Sequence, residues 1–190
     1  MAMIAVMNAE KNKMHPVKFT MWAACASIVM MFAGLSSAYI VKRNQTNWLT
    51  FDIPLIFWYS TAIMLLSSVT LVLSRKAFIN REMRLYKRWL AATTLLGIVF
   101  VLFQYIGFTQ LWASGITLTR NVSFSFLYII VGLHAVHVMG GVVALIIMYL
   151  KSFSTRRKNY TSISIDLMST YWHFVDLLWI YLLLFLLFIK

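Results

Sequence analysis

Charged residues are so sparse in this chain that the gaps between them decide what it can fold into. Between Lys18 and Lys42 lie 23 uncharged residues, between Asp52 and Arg75 lie 22, between Arg88 and Arg120 lie 31, and between Arg120 and Lys151 lie 30. A helix needs about 20 apolar residues to cross a hydrocarbon core of about 30 Å. The last segment, 167–189, is also long enough and carries a single charge, Asp176. Lipid offers the backbone no hydrogen-bond partner, and none of these runs shows the alternation of a barrel strand, so the spans must be helices. The expectation is an all-α, polytopic membrane helix bundle. Its five transmembrane helices fall at about 18–41, 53–74, 89–113, 124–150 and 167–189, in a single integral-membrane domain over 1–190.

Composition agrees with that reading. Hydrophobic residues make up 62% of the 190 and charged residues 12%, against roughly 25% charged in soluble domains. The net charge of +12 would suggest nucleic acid in a soluble protein. Here the basic residues flank apolar runs, so topology and anionic lipid account for them and no nucleic-acid partner is expected. The N-terminal tail and the second and fourth connections carry thirteen Lys and Arg, and the opposite side carries four. The positive-inside rule therefore puts the N-terminus in the cytoplasm and the C-terminus outside. The opening residues lack the basic, apolar, small-residue order of a cleaved signal peptide. The lone Cys25 excludes a disulfide framework and a cysteine metal motif. With such short connections, any function must reside in the helices, their loops or a complex they help build. No inverted pair of broken helices points to a secondary transporter.

The chemistry-bearing residues inside the spans are few. "GLHAVHVMGG" places His134 and His137 three apart on the fourth helix, with Gly141 on the same face and Gly132 and Gly140 nearby. "YWHFVDLLW" places His173 and Asp176 three apart on the fifth, flanked by Trp172 and Trp179. The third helix carries Gln104 with Gly97 and Gly107, and the first has the small-residue stretch "FAGLSSAYIVKR". An ionisable group within a span is costly, so it marks a site or a partner. Three readings compete. Three His and an Asp could ligate a metal or haem iron, although the rise per residue separates Asp176 and His137 by several ångströms in depth. Asp and His could relay protons. Or they could form a polar clamp between closely packed helices, with small residues setting the spacing and a buried His bonding across the contact. Cys25 reads as a small packing residue, and Met30 and Met31 as lipid-facing or core filler. Trp48, Trp89 and Trp112, near predicted helix ends, read as anchors at the lipid boundary.

Four of these stretches, taken in order, resemble the haem–copper oxidase subunit III family. "YWHFVDLLW" is similar to that family's last-helix signature, and "GLHAVHVMGG" to its Phe-His-Gly-Leu-His-Val stretch. "RWLAATTLLGIVFVLFQ" and "FAGLSSAYIVKR" resemble its Arg-Trp…Leu-Gly…Phe…Gln helix and its first conserved helix. The likeness covers about residues 27–180 and fits the short, five-helix bacterial form. It implies a non-redox subunit of a respiratory terminal oxidase, cytochrome c oxidase favoured, in the bacterial inner membrane. No cofactor is implied in this chain; haem and copper are expected in the partner catalytic subunits. The implied partners are catalytic subunit I, other oxidase subunits, phospholipid and a larger respiratory supercomplex. The implied role is support of assembly, lipid binding and proton uptake in an O2-reducing, proton-pumping complex. His134, His137, His173, Asp176 and Gln104 are the polar intramembrane residues of the matching motifs, and Arg43, Arg88 and Trp89 are candidate lipid-headgroup contacts. The pattern's intramembrane Glu is absent, since Ile28 follows Ser27, and its Glu-Trp after Gln104 falls on Gly107 and Phe108. Alternatives are an accessory subunit of a quinol oxidase or nitric oxide reductase, or a stand-alone membrane haem or metal-binding protein.

Overall fold

The computed structural model describes residues 16–43, 55–117, 121–153 and 162–189. Trp48, Asp52, Arg120 and Lys190 lie outside them. Five helices account for nearly all of the described chain: α1 (Pro16–Arg43), α2 (Leu55–Ile79), α3 (Met83–Ala113), α4 (Val122–Lys151) and α5 (Ser162–Phe188). There is no strand among the described residues. All five are long and apolar enough to cross a membrane. α3 starts six residues before its expected boundary, and at 31 residues it runs about 46 Å at 1.5 Å per residue. Its extra turns carry Arg84, Lys87 and Arg88 beyond the apolar span, where charge is tolerated.

Local chemistry sets the helix ends. Proline opens α1, where its missing N–H is no loss. Lys42 and Arg43 close α1, opposite the negative end of its dipole. Asn121 caps α4, its side-chain oxygen accepting from Ser123 N–H at 2.9 Å. α2 turns into α3 within three residues. Glu82 N–H reaches back to Ala77 O at 2.9 Å and Arg81 N–H to Phe78 O at 3.1 Å, with Arg81 at φ 60°. This is a Schellman stop whose left-handed position holds arginine in place of the usual glycine. α3 ends the same way with Gly115 at φ 77°.

α2 and α3 form an antiparallel hairpin whose buried faces share one rhythm. In α2 the buried residues are Phe57, Ser60, Met64, Ser67, Leu71, Ser74 and Ala77. In α3 they are Tyr86, Leu90, Thr93, Thr94, Gly97, Phe100, Gln104, Gly107 and Leu111. Apart from Thr94 in α3, each step is three or four residues, the seam of a left-handed pair of helices. Serine and glycine on that seam let the backbones approach, and hydroxyls can bond across it. Thr70 and Thr93 do so at 2.8 Å, and Ser74 donates to Tyr86 O at 3.4 Å.

α4 packs on α3, and α5 packs on α2 and α4; α1 touches only α4 and α5. α5 is the most enclosed helix and α1 the most exposed. Trp172 and Trp179 of α5 are the largest fully buried side chains, so the core centres where α5 meets the α2–α3 hairpin.

Candidate functional site

Three polar side chains of α5 bond to hydroxyls of α2, while Tyr171 reaches His137 O of α4 and Tyr181 reaches Ser36 of α1. Trp172 Nε1–H donates to Ser67 Oγ at 3.0 Å, and Trp179 Nε1–H donates to Thr61 Oγ1 at 2.9 Å. His173 Nδ1 shares a hydrogen bond with the Ser68 hydroxyl. Antiparallel helices bring successive turns of one past successive turns of the other. The residue pairs 172/67, 173/68 and 179/61 are therefore in one register. The hydroxyls that receive the indoles are themselves tied down, Ser67 donating to Met64 O at 2.7 Å and Thr61 to Phe57 O at 2.8 Å. A Ser or Thr that bonds its own helix backbone turns its oxygen lone pairs outward, which makes it a fixed acceptor.

Asp176 sits inside this seam and is buried. Its carboxyl oxygen Oδ1 has no hydrogen-bond partner. The hydroxyl of Ser68, which the sequence reading left unnamed, is taken up by His173.

Trp172 also fills the space between α3 and α4. Its ring lies so close to Gly97 and Gly141 that a Cβ at either would fall within 3.0 Å of it. Gly141 thus makes room for an indole of α5. Gly34, Gly132 and Gly140 have nothing within 4 Å of a Cβ position.

The His pair of α4 does not act together. His134 is fully buried, its ring stacked on Trp179 at 5.1 Å and meeting Phe100 edge-on at 6.2 Å. Neither of its nitrogens has a hydrogen-bond partner, which differs from the expectation of a bond across the helix contact. His137 turns toward α1, its ring 6.0 Å from Phe32, with Nδ1 at 2.7 Å from Leu133 O of its own helix. Among the described residues, no three His, Cys, Asp or Glu side chains converge as metal ligands would. Gln104 is buried near the opposite end of the α2–α3 hairpin from Ser74. There its Nε2 donates to Ser60 at 3.2 Å.

The candidate headgroup residues are spread over the surface. Arg43 is exposed at the end of α1, Arg88 is exposed on α3, and Trp89 is half-buried against the core. Sequence reasoning missed the α2 hydroxyls altogether. Their signal was present: Ser60, Ser67 and Ser74 recur every seven residues.

Residues 46–189 match the family model described as cytochrome c oxidase subunit III. The chain is 30% identical over 165 residues to a probable cytochrome c oxidase subunit 3 of Nocardia farcinica, covering 82% of this chain and 79% of that one. It is 30% identical over 159 residues to cytochrome c oxidase subunit 3 of Corynebacterium diphtheriae (80% and 78% covered). To that of Bacillus subtilis it is 27% identical over 169 residues (85% and 80% covered). The matched region takes in α2 to α5, the whole of the hydroxyl–indole seam, and on that ground the chain belongs to the cytochrome c oxidase subunit III family.

Proposed function

We propose that this chain is a non-redox subunit of a cytochrome c oxidase in a bacterial inner membrane, a single membrane domain with its N-terminus cytoplasmic. It packs beside the catalytic subunit, which holds the haem and copper, and it supports assembly, lipid retention and proton uptake of that complex. The observation that carries this reading is the seam between α5 and α2. Trp172, His173 and Trp179 of "YWHFVDLLW" are committed to Ser67, Ser68 and Thr61. That commitment suits a rigid scaffold better than a reacting centre. A hydrogen-bonded seam specifies which helices meet, while each such bond in a membrane contributes only about 0.6 kcal/mol. Its value lies in holding one bundle shape for a partner to recognise.

The test is purification through an affinity tag on this chain from a respiring host, in mild detergent. The expected result is a co-purifying large subunit with haem and copper, and oxidation of cytochrome c by the preparation. A chain that purifies alone, or that carries a stoichiometric haem absorption band by itself, overturns the reading.

A further inference from the structure

We infer that α4 docks a transmembrane helix of a partner subunit along the stripe Leu133, His137, Gly140 and Ala144, and that His137 Nε2 accepts a hydrogen bond from that helix. The inference deepens the partner-binding part of the function above and rests on it. His137 Nδ1 lies 2.7 Å from Leu133 O. A carbonyl oxygen only accepts, so Nδ1 carries the hydrogen. A neutral imidazole that donates through one nitrogen keeps a bare lone pair on the other. No group among the described residues donates to Nε2. Unlike the nitrogens of His134, it is not enclosed by the bundle. His137 stands 15 residues after Val122 and 14 before Lys151, about 21–22 Å from either end of α4 at 1.5 Å per residue. In a membrane of about 40–45 Å that is the midplane. Headgroups and bulk water do not reach it, and hydrocarbon holds no donor. A bare acceptor is costly there unless another polypeptide supplies the hydrogen.

The surface beside His137 is shaped for a helix. Gly140, one turn on, is exposed, with nothing within 4 Å of its Cβ position. From Leu133 to Ala144 the stripe steps by four, three and four residues, the rhythm of a helix seam. This seam is only half covered. Leu133, His137 and Ala144 are half-buried and Gly140 is open. α1 takes one flank through Phe32, whose ring meets that of His137 edge-on at 6.0 Å. Val136, Met139 and Val143 stand exposed on the other. A glycine on a half-covered seam lets a second backbone come close enough to bond across it. A second copy of this chain does not fit the need. Among the described residues, the exposed hydroxyl nearest that depth is Ser27, and it already donates to Ala23 O at 3.0 Å. The occupant is therefore a helix of a different chain, carrying a free hydroxyl, amide or indole donor.

The first test places a benzophenone amino acid at Val136 or Val143 and irradiates intact membranes, with adducts mapped by mass. The expected product is a cross-link to a transmembrane segment of another polypeptide, reduced by His137→Leu and lost with Gly140→Leu. Adducts with lipid alone, or with a second copy of this chain, overturn the inference. The second test follows retention of the large subunit through purification by a tag on this chain. His137→Leu is expected to weaken retention about threefold, the factor that roughly 0.6 kcal/mol represents. His137→Gln, whose amide reaches the Nε2 position, is expected to recover most of it. Gly140→Leu fills the open seam and is expected to abolish retention while leaving the chain's own unfolding by dodecyl sulfate unchanged. Gly34→Leu, at an equally open glycine of α1, is expected to change neither. Retention indifferent to His137→Leu and Gly140→Leu, or lost only in step with the chain's own stability, overturns the inference. A wild-type chain that purifies without any oxidase subunit overturns the function above, whereas the membrane cross-links still decide whether the stripe docks a helix.

Discussion

Replacing Gly97 by alanine should destabilise the bundle, although alanine is the better helix former. A Cβ at Gly97 would lie 2.8 Å from Trp172 Cη2, 3.2 Å from Cζ2 and 3.0 Å from Val142 Cγ2. Carbon atoms pack best at about 3.5–4.0 Å, so the ring would have to retreat by most of an ångström. It has nowhere to go. Trp172 is fully buried, its other edge already lies at the Gly141 position, and its Nε1 is held by Ser67 at 3.0 Å. Overpacking of this kind costs about 1–3 kcal/mol, and the rigid ring argues for the upper part of that range. Helix propensity returns up to about 1 kcal/mol. The expected net loss is roughly 1–2 kcal/mol. The same change at Gly132 or Gly140 meets open space and should leave stability unchanged or raise it. Unfolding by dodecyl sulfate in mixed micelles, followed by helical circular dichroism, measures each variant. Trp172→Phe removes the two ring atoms that the new methyl group would strike, so the double mutant should recover part of the loss, with a coupling of about 1 kcal/mol or more. If Gly97→Ala behaves like Gly132→Ala, or if the coupling is zero, Trp172 is not wedged as described.

Three further outcomes follow from the same contacts. Ser67→Ala leaves the Trp172 indole N–H without an acceptor in the core and should cost about 0.6–1.7 kcal/mol in the same unfolding assay, whereas Ser27→Ala, on the exposed face of α1, should be close to neutral. Asp176→Asn keeps hydrogen bonding and should preserve retention of the chain in the complex, while Asp176→Leu should weaken it. Unchanged retention in the Leu variant, with slowed turnover in the Asn variant, would point to proton transfer in place of assembly. Arg81→Gly relieves a left-handed position at φ 60° and should stabilise the α2–α3 turn by about 0.5–1 kcal/mol; a lower melting temperature would contradict that account of the turn.

The spans were legible because crossing a membrane depends on local composition. A run without charge is apolar wherever it sits in the fold, so Lys18, Lys42, Arg75 and Arg88 bound the apolar spans with no knowledge of neighbours, although the helices themselves run on past them. The turns were less legible, since the stop after Ile79 uses arginine where glycine would have given the signal. The site was legible as a set of residues but not as a geometry. Residues three apart on a helix point about 60° from each other. In a surface helix that is one face, but α4 is surrounded by α1, α3 and α5. There the same 60° sends His134 to Phe100 and Trp179 and His137 to Phe32. His173 met the same limit. Its own helix offered Asp176, whereas its hydrogen-bond partner is Ser68, 105 positions earlier in the chain.

The sequence by itself determined that the chain crosses a membrane five times, and its four ordered motifs determined which family it resembles. The tertiary structure alone decided that the hydroxyls of α2 receive the indoles of α5 and bond its imidazole, that Gly97 and Gly141 make room for one tryptophan, and that α1 packs on α4 and α5. The physical reason is the range of the forces. Partition into lipid is fixed residue by residue along the chain, while a hydrogen bond or a packing contact exists only once two helices have taken up a common register.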